Sequence, residues 1–242
     1  MMKREFSDHN HAITEYFDRH AVRYDEIIGN LAFQLDDGYH YFADYIRTAT
    51  SHIEDVRVLE LGIGTGKLTE HILRGHARST VVGIDTSPRM LEKATTNLAA
   101  YRDRVTLLCG DFSDNLLFDQ KFDVVISAIA LTFYTINHAA LYRTVNHLLK
   151  KDGLFVYAAN VAQNASVVEN VVGRMLVEHL AIAKEQAQWL KDIKGSADTD
   201  ILLVPWRWHL AELRNAGFYN VDCIYLRYKL GLFSGQKPGS AV

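Results

Sequence analysis

Three glycines occupy alternate positions in the segment Val58-Leu59-Glu60-Leu61-Gly62-Ile63-Gly64-Thr65-Gly66-Lys67-Leu68. A strand-like apolar run ends in an acidic residue, the glycines follow, and a helical pattern begins. Glycine takes positive φ readily and lets a ligand come close to the main chain. Such a turn, at the carboxyl end of a buried strand, is suited to hold a nucleotide-like molecule against its backbone. The dinucleotide fingerprint requires glycines at positions one, three and six. Counting from Gly62, position six is Lys67, which disfavours a nicotinamide oxidoreductase. Two more carboxylates end later apolar runs: Asp85 closes Val82-Gly83-Ile84-Asp85, and Asp111 lies in Cys109-Gly110-Asp111-Phe112. A carboxylate offers two acceptor oxygens and can take both vicinal hydroxyls of a ribose. Either aspartate could instead cap a helix or form a turn.

The elements that must position these residues are legible in the pattern. Nearly continuous apolar runs at Val56–Leu61, Thr80–Ile84, Val105–Cys109, Phe122–Ser127 and Leu154–Ala158 predict strands covered on both faces. Helical patterns at Lys67–Arg74, Pro88–Tyr101 and Ala139–Lys150 lie between several of them, with Thr86 or Ser87 capping the second and Lys151-Asp152-Gly153 breaking the third. Alternation of strand and helix implies parallel pairing through right-handed crossovers. Upstream, Ile13, Tyr16, Phe17, Tyr24, Ile27, Ile28, Leu31 and Leu35 recur at helical spacing, as do Tyr39, Phe42 and Ile46. Downstream, Val167, Val168, Val171, Val172, Met175, Leu176, Leu180 and Ala183 form the stripe of a long helix. A helix over Trp206 to Asn215 stops at Gly217, and Tyr219–Leu226 and Tyr228–Phe233 read as two strands joined near Arg227. Strands so close in sequence must pair antiparallel.

Glycines at positions one, three and five after Glu60 resemble motif I of the class I S-adenosylmethionine-dependent methyltransferases. Phe122-Asp123-Val124-Val125-Ile126-Ser127-Ala128 resembles their motif IV, and Leu213-Arg214-Asn215-Ala216-Gly217-Phe218 is similar to the tail of many small-molecule members and some tRNA-modifying ones. The resemblance covers nearly the whole chain. It implies an α/β, Rossmann-like fold: a seven-stranded, mostly parallel sheet with the last strand antiparallel and helices on both faces. It also implies a single methyltransferase domain over 1–242. Within it, 1–51 is a helical lid or substrate cap, 52–160 the cofactor-binding core, 161–205 a helical insertion, and 206–242 the final helix and antiparallel strand pair.

The cofactor implied is S-adenosyl-L-methionine, with S-adenosyl-L-homocysteine as product. By resemblance it would lie against Glu60, Gly62, Ile63, Gly64, Thr65 and Gly66, with Asp85, Thr86 and Met90 at the ribose side. Asp111 would accept from the adenine amino group, the backbone of Phe112 would read the ring edge, and Ala128 would stand at the start of the active-site loop. Tyr24, in Val22-Arg23-Tyr24-Asp25, resembles the aromatic residue that members place over the methionine end. Tyr16, Phe133, Tyr134, Asn160 and Trp206 are the expected acceptor-side residues, with Trp208 near the lid. For the tyrosine and the tryptophans, ordinary packing is the competing expectation. No general base stands out. His20, His40, His138, His179 and His209 could face the site, but most histidines are structural or solvated. No set of carboxylates after the fourth strand suggests a metal.

Composition narrows the function classes. At 242 residues with 48% hydrophobic and 23% charged side chains, the chain can bury a substantial core. A net charge of -3 without a basic cluster argues against nucleic acid as a partner on electrostatic grounds and leaves a small-molecule acceptor as the leading expectation. The longest apolar run, Val124 to Leu131, is too short to span a bilayer, and no secretory signal is seen, so a cytoplasmic monomer or homodimer is expected. The two cysteines, Cys109 and Cys223, lie far apart in apolar, strand-like runs and read as buried reduced thiols. A tRNA- or protein-modifying methyltransferase and a catalytically silent cofactor-binding protein remain the alternatives.

Overall fold

Strands buried on both faces need helices on both faces, and the chain supplies them. The computed structural model describes residues 11, 13–27, 38–112, 118–133, 138–163, 165–180 and 203–239. Seven strands form one sheet: β1 Arg57–Leu61, β2 Thr80–Asp85, β3 Val105–Cys109, β4 Phe122–Ala128, β5 Leu149–Asn160, β6 Tyr219–Arg227 and β7 Leu230–Gln236. Their order is β3-β2-β1-β4-β5-β7-β6. The first five pair in parallel, and β7 runs antiparallel between β5 and β6. The helices are α1 (residues 13–20), α2 Tyr24–Ile27, α3 Gly38–Ala49, α4 Lys67–Gly75, α5 Pro88–Asn97, α6 His138–Leu148, α7 Ser166–Leu180 and α8 Trp206–Asn215.

Side chains alternate across each strand, so one strand feeds two cores. Leu59, Val125, Phe155 and Tyr157 join Tyr142, Val145 and Leu213 on the side of α6 and α8. Val58, Val124, Ile126, Val156 and Ala158 join Phe42, Ile46, Leu68 and Ile72 on the side of α3 and α4. Beneath α8 the first core holds a buried polar group: Tyr142 Oη donates to Tyr157 Oη (2.8 Å), and both hydroxyls lie 3.1 Å from His209 Nδ1. The chain leaves β1 toward β2 and β3, then returns to place β4 on β1's other side. That reversal is a topological switch point, where a crevice opens beyond the strands' carboxyl ends.

Several boundaries differ from expectation. β5 begins at Leu149, and no helix continues through Lys150. Lys150 Nζ instead ion-pairs with Asp123 at 2.8 Å, Asp152 takes φ 61°, and Leu149 pairs with Phe122 across a register shift. α5 ends at Asn97 and is followed by a 3-10 turn, Ala99–Arg104. Of the two candidate caps, Ser87 is the one used: its Oγ accepts from Met90 N at 3.1 Å. The expected stripe of α7 is not a buried face, since Val167, Val168, Val171 and Met175 are exposed. Leu176 and Leu180 side chains, and Ala183, Ile28, Leu31 and Leu35, lie outside the described residues. No helix among the described residues is long and apolar enough to cross a membrane.

Candidate active site

The glycine turn hangs from the tip of β2. Gly62 N and Ile63 N both donate to Ile84 O, at 2.9 and 3.1 Å. Gly62 has φ 71° and Gly64 φ 53°, a region that costs other residues roughly 1–2 kcal/mol. Their surroundings differ. A Cβ on Gly62 would sit 2.2 Å from Ala130 Cβ, so this glycine lets the turn press on the segment after β4. A Cβ on Gly64 would meet nothing within 4 Å, because Gly64 faces a cavity.

Two carboxylates brace the turn. Asp85 Oδ2 accepts from Gly64 N at 2.8 Å and Oδ1 from Ser87 N at 2.9 Å. Burial pushes the Asp85 carboxyl above its ordinary range, while the N–H groups of Ser87, Gly64 and Thr86 pull it back. Glu60 is fully buried beneath the turn and accepts from Thr69 Oγ1. Burial raises its pKa to about 8, the Thr69 hydrogen bond opposes this, and nearby Asp85 adds to it. Gly110 N donates to Asp85 O at 2.9 Å, which brings Asp111 beside Asp85 at the next strand tip.

In front of Gly64 lies an open-mouthed cavity, its empty space about 720 Å³ with the adjoining solvent included. Gly62, Gly64, Asp85, Thr86, Met90, Asp111, Phe112 and Ala128 form its floor and walls, together with Ile129 and Ala130. Ile13, Phe17 and Tyr24 reach it from the N-terminal helices. Burial raises the Tyr24 hydroxyl well above its usual pKa, with Tyr39, Asp85 and Asp25 adding to the shift, so it stays protonated. Ile129 adopts φ 68°, a strained conformation for a β-branched residue, costing of order 1–3 kcal/mol. Its N donates to Ala158 O at 2.9 Å and its O accepts from Thr132 N at 2.8 Å, which fixes the kink.

The expected residues divide accordingly. Tyr24, Gly62, Gly64, Asp85, Thr86, Met90, Asp111, Phe112 and Ala128 converge on the cavity. Glu60, Ile63, Thr65 and Gly66 support it from behind: Ile63 packs against Gly83, and Gly66 against Leu98. Tyr16 is buried with its ring stacked on His20 at 4.3 Å, and its neighbour Phe17 faces the cavity in its place. Trp206 packs on the core at the start of α8, and Arg207 covers its ring at 5.1 Å. Asn160 ends β5 with its N–H donated to Thr132 Oγ1 at 3.0 Å. The cavity wall includes neither Trp206 nor Asn160. The Phe133 side chain, Tyr134 and the His179 side chain lie outside the described residues. His138 and His209 are engaged with Trp208 and with each other, and His40 with His71. Sequence reasoning missed Ile13, Phe17, Ile129 and Ala130; the four-residue spacing of Ile13 and Phe17 was the available signal.

An adenosyl group fits this donor set. The space in front of Gly64 is one that a side chain would fill, and two acceptor carboxylates stand beside it. Residues 58–153 match the family model of the methyltransferase domain. The chain is 30% identical over 175 residues to a methyltransferase of Anoxybacillus flavithermus whose role is uncharacterised, covering 71% of this chain and 74% of the relative. It is 27% identical over 187 residues to the carboxy-S-adenosyl-L-methionine synthase of Wolinella succinogenes, covering 74% and 75% respectively. The CurJ carbon methyltransferase shares the fold, with a TM-score of 0.64 and 19% identity over 83% of this chain; the chain spans 54% of that structure's length. The strand order, the glycine turn with its two flanking carboxylates, and these matches together place the chain in the class I S-adenosylmethionine-dependent methyltransferase superfamily, with S-adenosylmethionine as its cofactor.

Proposed function

We propose that this methyltransferase acts on a small, aromatic or partly apolar acceptor held in the cavity beneath the N-terminal helices. The observation that carries this reading is the mixed lining of the cavity: the strand-tip carboxylates Asp85 and Asp111 share it with the apolar Ile13, Phe17, Ile129 and Ala130. When bound, S-adenosylmethionine supplies a methyl group on a sulfonium, already activated for in-line transfer. The chain's task is then to bind, orient and exclude water. Asp85 would take the ribose hydroxyls on the lone pairs its backbone N–H partners leave, Asp111 would take the adenine amino group, and Gly64 would let the ligand lie on the main chain. Tyr24 and Phe17 close the cavity and present ring faces to a cationic centre. Holding donor and acceptor in line contributes on the order of 7–11 kcal/mol. In this reading 1–51 is the cap, 52–160 the core, 161–205 the insertion and 206–242 the closing helix and hairpin of one domain.

The test is label transfer. The protein is incubated with methyl-labelled cofactor and a cell extract separated into small molecules, RNA and protein. Label in the small-molecule fraction, with S-adenosylhomocysteine formed in step, supports the reading; label confined to RNA or protein refutes it. The Wolinella relative favours a second reading, in which the cofactor itself is modified. Mass spectrometry of the nucleoside product separates the two, because S-adenosylhomocysteine appears only when the methyl group leaves.

A further inference from the structure

Each aromatic residue that reaches the cavity from the N-terminal helices is followed directly by an aspartate: Phe17 by Asp18, and Tyr24 by Asp25. Neither aspartate touches the cavity, and both are bound to the frame around it. Asp25 Oδ1 accepts from Thr65 Oγ1, inside the glycine turn, at 2.5 Å. Asp25 Oδ2 accepts from Asn97 Nδ2 at 3.3 Å, and the same amide donates to Thr65 O at 2.9 Å. Asp18 Oδ1 accepts from Ser87 Oγ and, at 3.2 Å, from Arg89 N. The two aspartates thus grip opposite ends of α5, and Asp18 sits at the helix N-terminus, where the dipole favours a carboxylate.

We propose that Asp18 and Asp25 are positioning residues, a pair of latches that hold Phe17 and Tyr24 over the cavity and govern how long the cofactor stays bound. This rests on the reading that the cavity receives S-adenosylmethionine. The donors are buried hydroxyls: Thr65 is 2% exposed and Ser87 fully buried. Hydrogen bonds from buried hydroxyls to a carboxylate are short and strong, and breaking one leaves a buried polar group without its partner. The Asp25 latch is also sensitive to the site, because Thr65 lies between Gly64, which faces the ligand, and Gly66. Ligand seated on the turn and lid seated on Thr65 therefore favour the same arrangement of one loop. Opening the lid has to release both aspartates before Phe17 and Tyr24 can swing away.

The experiment measures the dissociation rate and affinity of S-adenosylhomocysteine, by stopped flow and calorimetry, on the full chain. Asp25→Ala is expected to speed release about tenfold and weaken affinity by a similar factor, since affinity changes within one site fall mainly on the off-rate. Thr65→Val should do the same, and the double variant should be no worse than either single one. Thr65→Ser, which keeps the hydroxyl, should restore slow release. Asp18→Ala should also speed release. Trypsin cleavage after Arg23 without ligand should quicken in Asp25→Ala. The proposal is overturned if Asp25→Ala lowers thermal stability while release and affinity stay within about twofold of wild type, or if the Asp25 and Thr65 effects simply multiply. Should Asp25→Ala fail to fold, the contrast between Thr65→Val and Thr65→Ser decides alone: equal release rates reject the latch. Gly64→Ala separates this from the cavity assignment. If Gly64→Ala loses ligand while Asp25→Ala keeps it, only the latch is wrong; if neither loses it, the cavity assignment is wrong.

Discussion

Two glycines two residues apart should fail in different ways when replaced by alanine. Both hold positive φ, at 71° for Gly62 and 53° for Gly64, so each alanine carries about 1 kcal/mol of backbone strain. At Gly64 that is nearly the whole cost to folding, because the new Cβ meets nothing within 4 Å. For a chain of this size it lowers Tm by about 2–4 °C. At Gly62 the new Cβ lands 2.2 Å from Ala130 Cβ, far inside contact distance. Ala130 or the turn must move, adding an overpacking cost of about 1–3 kcal/mol, so the total of roughly 2–4 kcal/mol lowers Tm by about 5–15 °C. Ligand binding ranks the two differently. Gly64→Ala places a methyl group where the cofactor lies and should weaken S-adenosylhomocysteine at least tenfold, about 1.4 kcal/mol. The assay is calorimetry twice over: thermal unfolding without ligand, then titration at a temperature where both variants are folded. A Gly64→Ala protein that binds as tightly as wild type refutes the cavity assignment. A Gly62→Ala protein as stable as Gly64→Ala refutes the packing argument.

Three other outcomes follow from the same geometry. Asp85→Asn turns one acceptor oxygen into a donor facing the Gly64 or Ser87 N–H, so affinity for the cofactor should fall at least about tenfold; calorimetric titration at unchanged affinity would remove Asp85 from the site. Stability should depend on pH through two buried groups of opposite sign. Burial lowers His209 from 6.5 to about 3, so its contribution is lost as pH falls below 6.5, by about 2 kcal/mol at pH 5. Burial raises Glu60 from 4.5 to about 8, so its contribution is complete below 4.5 and lost as pH rises toward 8. Scanning calorimetry should therefore show His209→Phe flattening the fall in stability on the acid side and Glu60→Gln removing the decline in stability between pH 4.5 and 8; variants with the wild-type profile would contradict this. Lys150→Met strips the ion pair from Asp123, whose side chain is 7% exposed, and leaves it, among the described residues, the Arg57 N–H alone. Urea unfolding should show a loss of about 1–3 kcal/mol, and no loss would mean water replaces the lysine fully.

The sheet was legible because its central strands are covered on both faces and so read as unbroken apolar runs; the edge strand β3 carries a similar run, yet its Leu108 and Cys109 are exposed, against the expectation of burial. The hairpin of β6 and β7 was legible because two strands that close leave no room for a crossover. What escaped depends on distant partners. Lys150 looks like the end of a helix until Asp123 is placed beside it. The valines of α7 form a periodic stripe, but periodicity does not say what covers them. Tyr16 and Phe17 differ by one step of about 100° around a helix, and sequence does not fix that phase finely enough to choose between them. Among the site residues, Asp85 and Asp111 were readable because each follows a strand and stands in order after the glycine turn. Asp18 and Asp25 were not, since a carboxylate on an amphipathic helix resembles a solvated face and their hydroxyl partners lie 69 and 40 residues away.

A crystal structure of the protein with S-adenosylhomocysteine tests the central claim most directly. The ribose hydroxyls should lie within hydrogen-bond distance of the Asp85 carboxylate, the adenine amino group should meet Asp111, and the chain near the sulfur should pass over Gly64 beneath Tyr24. A ligand seated elsewhere, or one leaving Asp85 and Asp111 untouched, would contradict it.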